Sequence, residues 1–182
     1  MAKAIFTTKI DSIYDDLPEE RYHFPQTYLR AVEQTVGDWI VYYEPRRTSG
    51  NLSSRGGLQS YFATARVTDI KQDTSRPDHY YALVESYLPF VNAVPFREGE
   101  HYFESALKRG DGGTSKGAFG RAVRPVSDQE YDLIWQTGFS TLLDQSVEMT
   151  NINNIRGLAE EQATFERPII ERIVEPLAKL SE

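Results

Sequence analysis

The chain has 182 residues, 40% hydrophobic and 26% charged, which is ordinary globular usage and long enough to bury one core. Its net charge of −7 counts against a polyanionic partner, and the absence of cysteine excludes disulfides and thiolate metal sites. No apolar run reaches the roughly 20 residues of a membrane helix, and MAKAIFTTKIDS lacks the apolar core of an export signal, so a cytoplasmic location is expected.

Ala4–Lys9 is apolar and β-branched and predicts a first strand, followed by an acidic, turn-rich loop over Asp11–Pro18. Across Gln26–Val36, Tyr28, Leu29, Val32 and Val36 recur at helical spacing, and Gly37 stops the helix. Trp39–Tyr43 predicts an aromatic strand ended by Pro45. Arg46 to Gln59 is a polar loop with three arginines. Ser60–Ile70 and His79–Leu88 predict two further strands, joined by a turn over Lys71–Pro77. Val91–Phe96 reads as a short extended piece, Phe103–Leu107 as a helical turn, and Arg109–Gly120 as a Gly-rich loop carrying Lys116. Ala122–Val126 predicts a last short strand. Ser127 with Glu130 three residues on is a capping box, and Tyr131, Ile134 and Trp135 fall on one face of the helix it opens. Residues 141–157 are Asn-rich and poorly patterned, and 158–182 are helical in character but broken by Pro168 and Pro176. The tail reads as a helical appendage, a linker or a homodimer contact. Five or six short strands with flanking helices predict an α+β fold, a small, mixed, partly open β-barrel over residues 1–140 with the tail over 141–182.

The order of these segments resembles a known family. The stretches KAIFTTK, IDSIYDDL, YHFPQTYL, VGDWIVYYEPRR, YFATARVTDI, NAVPFRE and GAFGRAVRP resemble the PUA-like modules fused ahead of HNH nucleases in bacterial modification-dependent restriction endonucleases. More loosely they resemble EVE and YTH domains. The resemblance covers about residues 3–137 and rests most on GDWIVYYEPRR and YHFP. It implies a barrel whose cleft holds one flipped base of double-stranded DNA, 5-methyl- or 5-hydroxymethylcytosine, and an HNH nuclease domain in cis or in trans that cuts the DNA. The chain holds only His23, His79 and His101, without close His partners, so the nuclease centre is expected to lie elsewhere and no catalytic residue, metal or cofactor is assigned.

Three segments are candidates for the base pocket. In related domains the position of Lys9-Ile10-Asp11-Ser12 lines the cleft. Asp11 is suited to accept from an exocyclic amine, or to form an Asx turn. Tyr22, His23 and Phe24 offer rings for stacking on a base, or a hydrophobic contact for the helix that follows. Along Trp39–Tyr43 alternation puts Trp39 and Tyr43 on one face of a strand, with Tyr43 and Glu44 at the end where pockets open; core packing is the rival role. The basic side chains gather in the middle of the chain. Residues 46–125 hold 12 basic and 8 acidic groups, residues 1–45 hold 4 and 8, and residues 126–182 hold 4 and 11. Lys9, Arg46, Arg47, Arg55, Lys116 and Arg121 are the candidates for phosphate contacts, with Lys108, Arg109 and Arg124 close in sequence. Surface ion pairing is their alternative. A hydrolase of modified nucleotides using Asp11, Glu44 and Lys9, or a reader of RNA, are the rival functions.

Overall fold

The computed structural model describes residues 2–8, 16–45 and 59–140. By internal contacts the chain divides into two compact units, Met1–Ser140 and Thr141–Glu182, and the second, with the expected helical tail, lies outside the described residues.

The described unit is a mixed α+β structure built on one curled, half-barrel sheet. Its strands are β1 (Lys3–Thr7), β2 (Arg21–Pro25), β3 (Trp39–Glu44), β4 (Ser60–Gln72), β5 (His79–Pro95) and β8 (Val123–Val126), in the spatial order β2-β5-β4-β3-β1-β8. Only β1 and β3 run parallel, and every other pair is antiparallel. A small ribbon of β6 (Arg97–Glu98) and β7 (His101–Tyr102) stands apart from this sheet. The helices are short: α1 (Leu29–Glu33), entered through a 3-10 turn at Gln26–Tyr28, α2 (Lys116–Phe119) and α3 (Asp128–Gly138).

Local sequence explains the ends of these elements. Gly37, at φ +85°, turns the chain from α1 into β3 as the helix-stop reading requires. The Ser127–Glu130 capping box opens α3, with the Ser127 hydroxyl accepting from the Glu130 N–H and the Glu130 carboxylate accepting from the Ser127 N–H. Tyr22–Phe24, read from sequence as a lead-in to the helix, lies in a strand, because Arg21–Pro25 pairs along its length with His79–Leu83. The strand expected to end at Leu88 continues to Pro95.

That continuation is irregular. Pairing runs from Ala63↔Pro89 to Tyr61↔Val94, so four residues of β5 (90–93) oppose Phe62 alone. Pro89, which has no N–H to give, borders the excursion. A second bulge sets Ser86 and Tyr87 against Ala65, with Ser86 at φ +53°. These bulges bend β4 and β5 and help the sheet curl.

Two apolar clusters lie on the two faces. Inside the curl, Ala4, Phe6, Tyr22, Phe24, Ile40, Tyr42, Ala63, Ala65, Val67, Ala82 and Val84 pack together with Val32 of α1. On the outer face Ile5, Val41, Tyr43, Tyr61, Val94 and Phe103 pack under Tyr131 and Ile134 of α3. The Tyr22 hydroxyl donates to the carbonyls of Thr7 (3.1 Å) and Ala122 (3.3 Å), and the Tyr28 hydroxyl accepts from the Ala122 N–H (3.2 Å). Side-chain hydroxyls thus join the β2 and β8 sides of the half-barrel, where no strand ladder closes it.

Candidate functional site

An open cleft of about 550 Å³ lies at one end of the half-barrel. Its walls are mostly apolar and come from five places. Thr8 follows β1, Leu17 to Glu20 form a turn before β2, and Glu44 ends β3. Ser60 and Phe62 begin β4, and Tyr87, Pro89, Phe90 and Ala93 come from the bulged part of β5. The bulges explain how so many β5 side chains reach one place, since strict alternation would send every second residue to the other face. The size falls within the range of small-molecule and cofactor sites, roughly 300–1,000 Å³.

The aromatic wall is anchored from below. Tyr42 of the inner core stacks on Phe62 with ring centroids 5.9 Å apart and packs at 6.2 Å against Tyr87. Tyr42 itself is fully buried. Phe90 is held from the outer side by α3. A Cβ built on Gly138 would lie 2.5 Å from the Phe90 ring, so only glycine leaves room for it, and Phe139 meets the same ring edge-on at 5.2 Å. The polar groups of the cleft are the carboxylates of Glu19, Glu20 and Glu44 and the hydroxyls of Thr8, Ser60 and Tyr87. Glu44 is buried, at 8% exposure, while Glu19 and Glu20 are exposed. An aromatic and proline wall beside carboxylates suits a flat ring that carries amine hydrogens, which stack and donate at once.

The structure distributes the residues singled out from sequence. Glu44 lines the cleft. Tyr22 and Phe24 lie in the inner core, where Tyr22 packs against Phe6 at 4.6 Å and stacks on Phe24 at 6.2 Å. His23, between them on β2, points the other way. It stacks on Tyr81 at 4.5 Å and places Nε2 3.0 Å from Asp73 Oδ2. Burial holds its imidazole pKa below the usual value, against the pull of Asp73. Tyr43 belongs to the outer core, with Arg124 over its ring at 5.0 Å and Phe119 edge-on at 5.6 Å. Trp39 starts the same strand, half-buried against the outer cluster and about 17 Å along the strand from Glu44. Lys116 and Arg121 are exposed, and Lys116 lines a smaller hollow of about 370 Å³ with Gln59, Phe96, Thr114, Phe119 and Gly120. Lys9, Asp11, Ser12, Arg46, Arg47 and Arg55 lie outside the described residues. Of the described residues nearest to them in sequence, Thr8 lines the cleft, and Asp16, Pro45 and Gln59 adjoin the lining residues Leu17, Glu44 and Ser60.

Arg124 is not a surface cation. It is 3% exposed, its Nε and Nη2 donate to the two oxygens of Glu104 at 2.7 and 2.8 Å, and its Nη1 donates to Thr7 Oγ1 at 2.8 Å. Tyr61 donates to Glu104 at 2.7 Å, which completes the buried network. Arg109 is held by Asp111 at 2.8 Å.

Sequence reading missed most of the cleft. Phe62, Tyr87 and Phe90 are ordinary strand aromatics by composition, and Glu19-Glu20 looks like a solvated pair. The one available signal was Pro89 inside an otherwise strand-like run, which marks a bulge. Among the described residues no group of three His, Asp or Glu is gathered closely enough to hold a metal ion, and no helix is long and apolar enough to cross a membrane. Against models of known protein families the chain finds no match, and among curated proteins it finds none either.

Proposed function

We propose that this chain is a PUA-like reader of modified DNA. It takes a 5-methyl- or 5-hydroxymethylcytosine flipped out of the duplex into the cleft at the end of its half-barrel. The observation that carries the reading is the cleft itself, about 550 Å³, walled by Phe62, Tyr87, Phe90 and two prolines, with a buried carboxylate at Glu44. Flipping a base costs a few kcal/mol, recovered by stacking worth roughly 1–3 kcal/mol per base and by hydrogen bonds to its edge. Glu44 accepts from the exocyclic amine, the role that sequence gave to Asp11. Lys9, Arg46, Arg47, Arg55, Lys116 and Arg121 contact phosphates. Cutting is the work of an HNH nuclease domain in cis or in trans.

The test is fluorescence anisotropy on duplexes that differ only in one cytosine. Tighter binding of the modified duplex is expected, and Phe62→Ala or Tyr87→Ala should remove the preference while sparing the salt-dependent background. Equal binding of modified and unmodified duplexes by the intact chain refutes the proposal. A second reading, hydrolysis of a modified nucleotide, is favoured by one observation: Glu44 stands in the cleft wall with the hydroxyl-bearing Thr8 and Ser60. Turnover of free modified nucleotides, followed by chromatography, would establish it in place of the first.

A further inference from the structure

The smaller hollow of about 370 Å³ beside Lys116 has a chemistry unlike that of the cleft. Phe96 and Phe119 meet edge-on at 4.9 Å and give it an apolar floor. Arg97, exposed on β6, lies over the Phe96 ring at 5.6 Å and donates from Nη1 to the Tyr102 hydroxyl at 3.3 Å. That hydroxyl is bonded in turn to Thr114 Oγ1 at 2.7 Å, and Thr114 lines the hollow. Tyr102 is buried, so the guanidinium is tied to a fixed anchor. Lys108 pairs with Thr114 across the Gly-rich loop, which sets the two side chains on one side of it. The Thr114 hydrogen bond first, then Arg97 and more weakly Lys108, hold the Tyr102 phenol below its usual pKa, so the field of both cations reaches this point. Among the described residues no carboxylate pairs with Arg97, Lys108 or Lys116, whereas Arg109 and Arg124 are held by Asp111 and Glu104. Glu98 pairs with His101 on the other face of the ribbon from Arg97, and Glu100 lies in its turn.

We infer that this hollow is a second contact with the bound DNA: Arg97, Lys108 and Lys116 grip its phosphodiester backbone, and a deoxyribose packs on the floor of Phe96 and Phe119. Three cations without carboxylate partners around an apolar floor match a phosphate with its sugar, and the guanidinium fork keeps donors for the phosphate oxygens. The hollow also stands beside the cleft. Gln59 lines the one and Ser60 the other, and the Phe96 N–H donates to the Gln59 carbonyl at 3.1 Å just after β5 ends. The inference rests on the base-reading proposal and adds Arg97 and Lys108 to it, with Lys116 as their neighbour. Such a contact raises affinity for any sequence and carries none of the preference for a modified base.

The experiment uses the full chain and two duplexes, one with a single 5-hydroxymethylcytosine and one with cytosine in its place. Affinity is measured from roughly 50 to 200 mM salt, and the slope of log affinity against log salt reports the phosphates neutralised. The triple variant Arg97→Gln, Lys108→Gln, Lys116→Gln should bind both duplexes at least about tenfold more weakly at low salt, with a slope shallower by about one to three. Its ratio of affinities for the two duplexes should stay that of the wild type. Lys116→Gln alone, at an exposed position, should lower the slope by about one, which keeps the test sound if the triple variant folds poorly. Lys71→Gln, exposed at the far end of β4, should leave the slope unchanged. A wild-type slope in the triple and Lys116→Gln variants overturns the inference and leaves base reading intact, and so does an equal fall in slope for Lys71→Gln. Loss of the modified-base preference along with the slope would show that the hollow shapes the cleft, and overturns it as a backbone contact. Wild-type binding that ignores the modification refutes base reading, and the slopes then decide the hollow by themselves. No binding of either duplex overturns both.

Discussion

Arg124→Met tests the buried network on the outer face. The substitution keeps much of the side-chain volume and removes the charge. It deletes the hydrogen bonds to both Glu104 oxygens, to Thr7 Oγ1 and to the Arg121 carbonyl. Glu104, 1% exposed, is left with the Tyr61 hydroxyl as its remaining side-chain donor among the described residues. Removing one partner of such a pair costs about 3–5 kcal/mol, because the other charge stays buried and unpaired. That is a large part of the roughly 5–15 kcal/mol that holds a domain together. At ~3 °C per kcal/mol in a unit of this size, the melting midpoint should fall by about 10 °C. Calorimetry at neutral pH measures it. The triple variant Arg124→Met, Glu104→Leu, Tyr61→Phe removes every charge and the dependent hydroxyl together, and should recover at least half of the loss. A single variant within about 1 kcal/mol of wild type, or a triple variant no more stable than the single, refutes the assignment of the cost to an uncompensated carboxylate.

Four further outcomes follow from the geometry. The folded chain takes up a proton at His23 at lower pH than the unfolded chain, whose value is near 6.5, so stability should decline as pH falls from about 7 toward 5. A thermal-melt series gives this slope, and His23→Gln should flatten it. The Ser75 hydroxyl holds the Asp73 carboxyl down at about 2 from a usual 3.8, so its stabilising contribution, complete above that usual value, should disappear as pH falls through about 2. Gly138→Ala would raise stability by ~1 kcal/mol in an open helix, but here the new methyl collides with the Phe90 ring, so a loss of about 1–3 kcal/mol in thermal unfolding is expected; a stabilised variant would contradict this packing. Ser86 adopts φ +53°, where a β-branched residue is strained, so Ser86→Val should cost about 1–3 kcal/mol in denaturant titration while Ser86→Gly is tolerated.

Much of the fold was legible because its signals are local. The capping box at Ser127, the stop at Gly37 and the alternation along β3 depend on neighbours a few residues away. The strand Arg21–Pro25 was not legible, because what makes it a strand is a partner at His79–Leu83, far along the chain. The cleft suffered from the same limit in a sharper form. Alternation predicts that Phe62 and Ala63 face opposite ways, yet both belong with the inner cluster, because the register shifts between Tyr61 and Ala63. A bulge is a relation between two strands, and a single strand's sequence announces it only when proline or glycine marks the spot. Of the described candidate pocket residues Glu44 alone lines the cleft, because the strand-end argument concerned where the chain runs out of sheet, a property that survives such shifts.

The placement of β1 between β3 and β8 has a consequence for how the chain assembles. Phe6 pairs with Val123, so the sheet acquires its last strand only after well over a hundred residues have been made. Such long-range pairing carries a loop-closure cost and slows folding relative to local hairpins. During synthesis β1 therefore waits as an exposed edge, a template for a strand of another chain, until Val123–Val126 leaves the ribosome. Its shortness, five residues with Lys3 at one end, limits that hazard. Shortening the chain before Val123 should trade a folding problem for an association problem, visible as concentration-dependent aggregation.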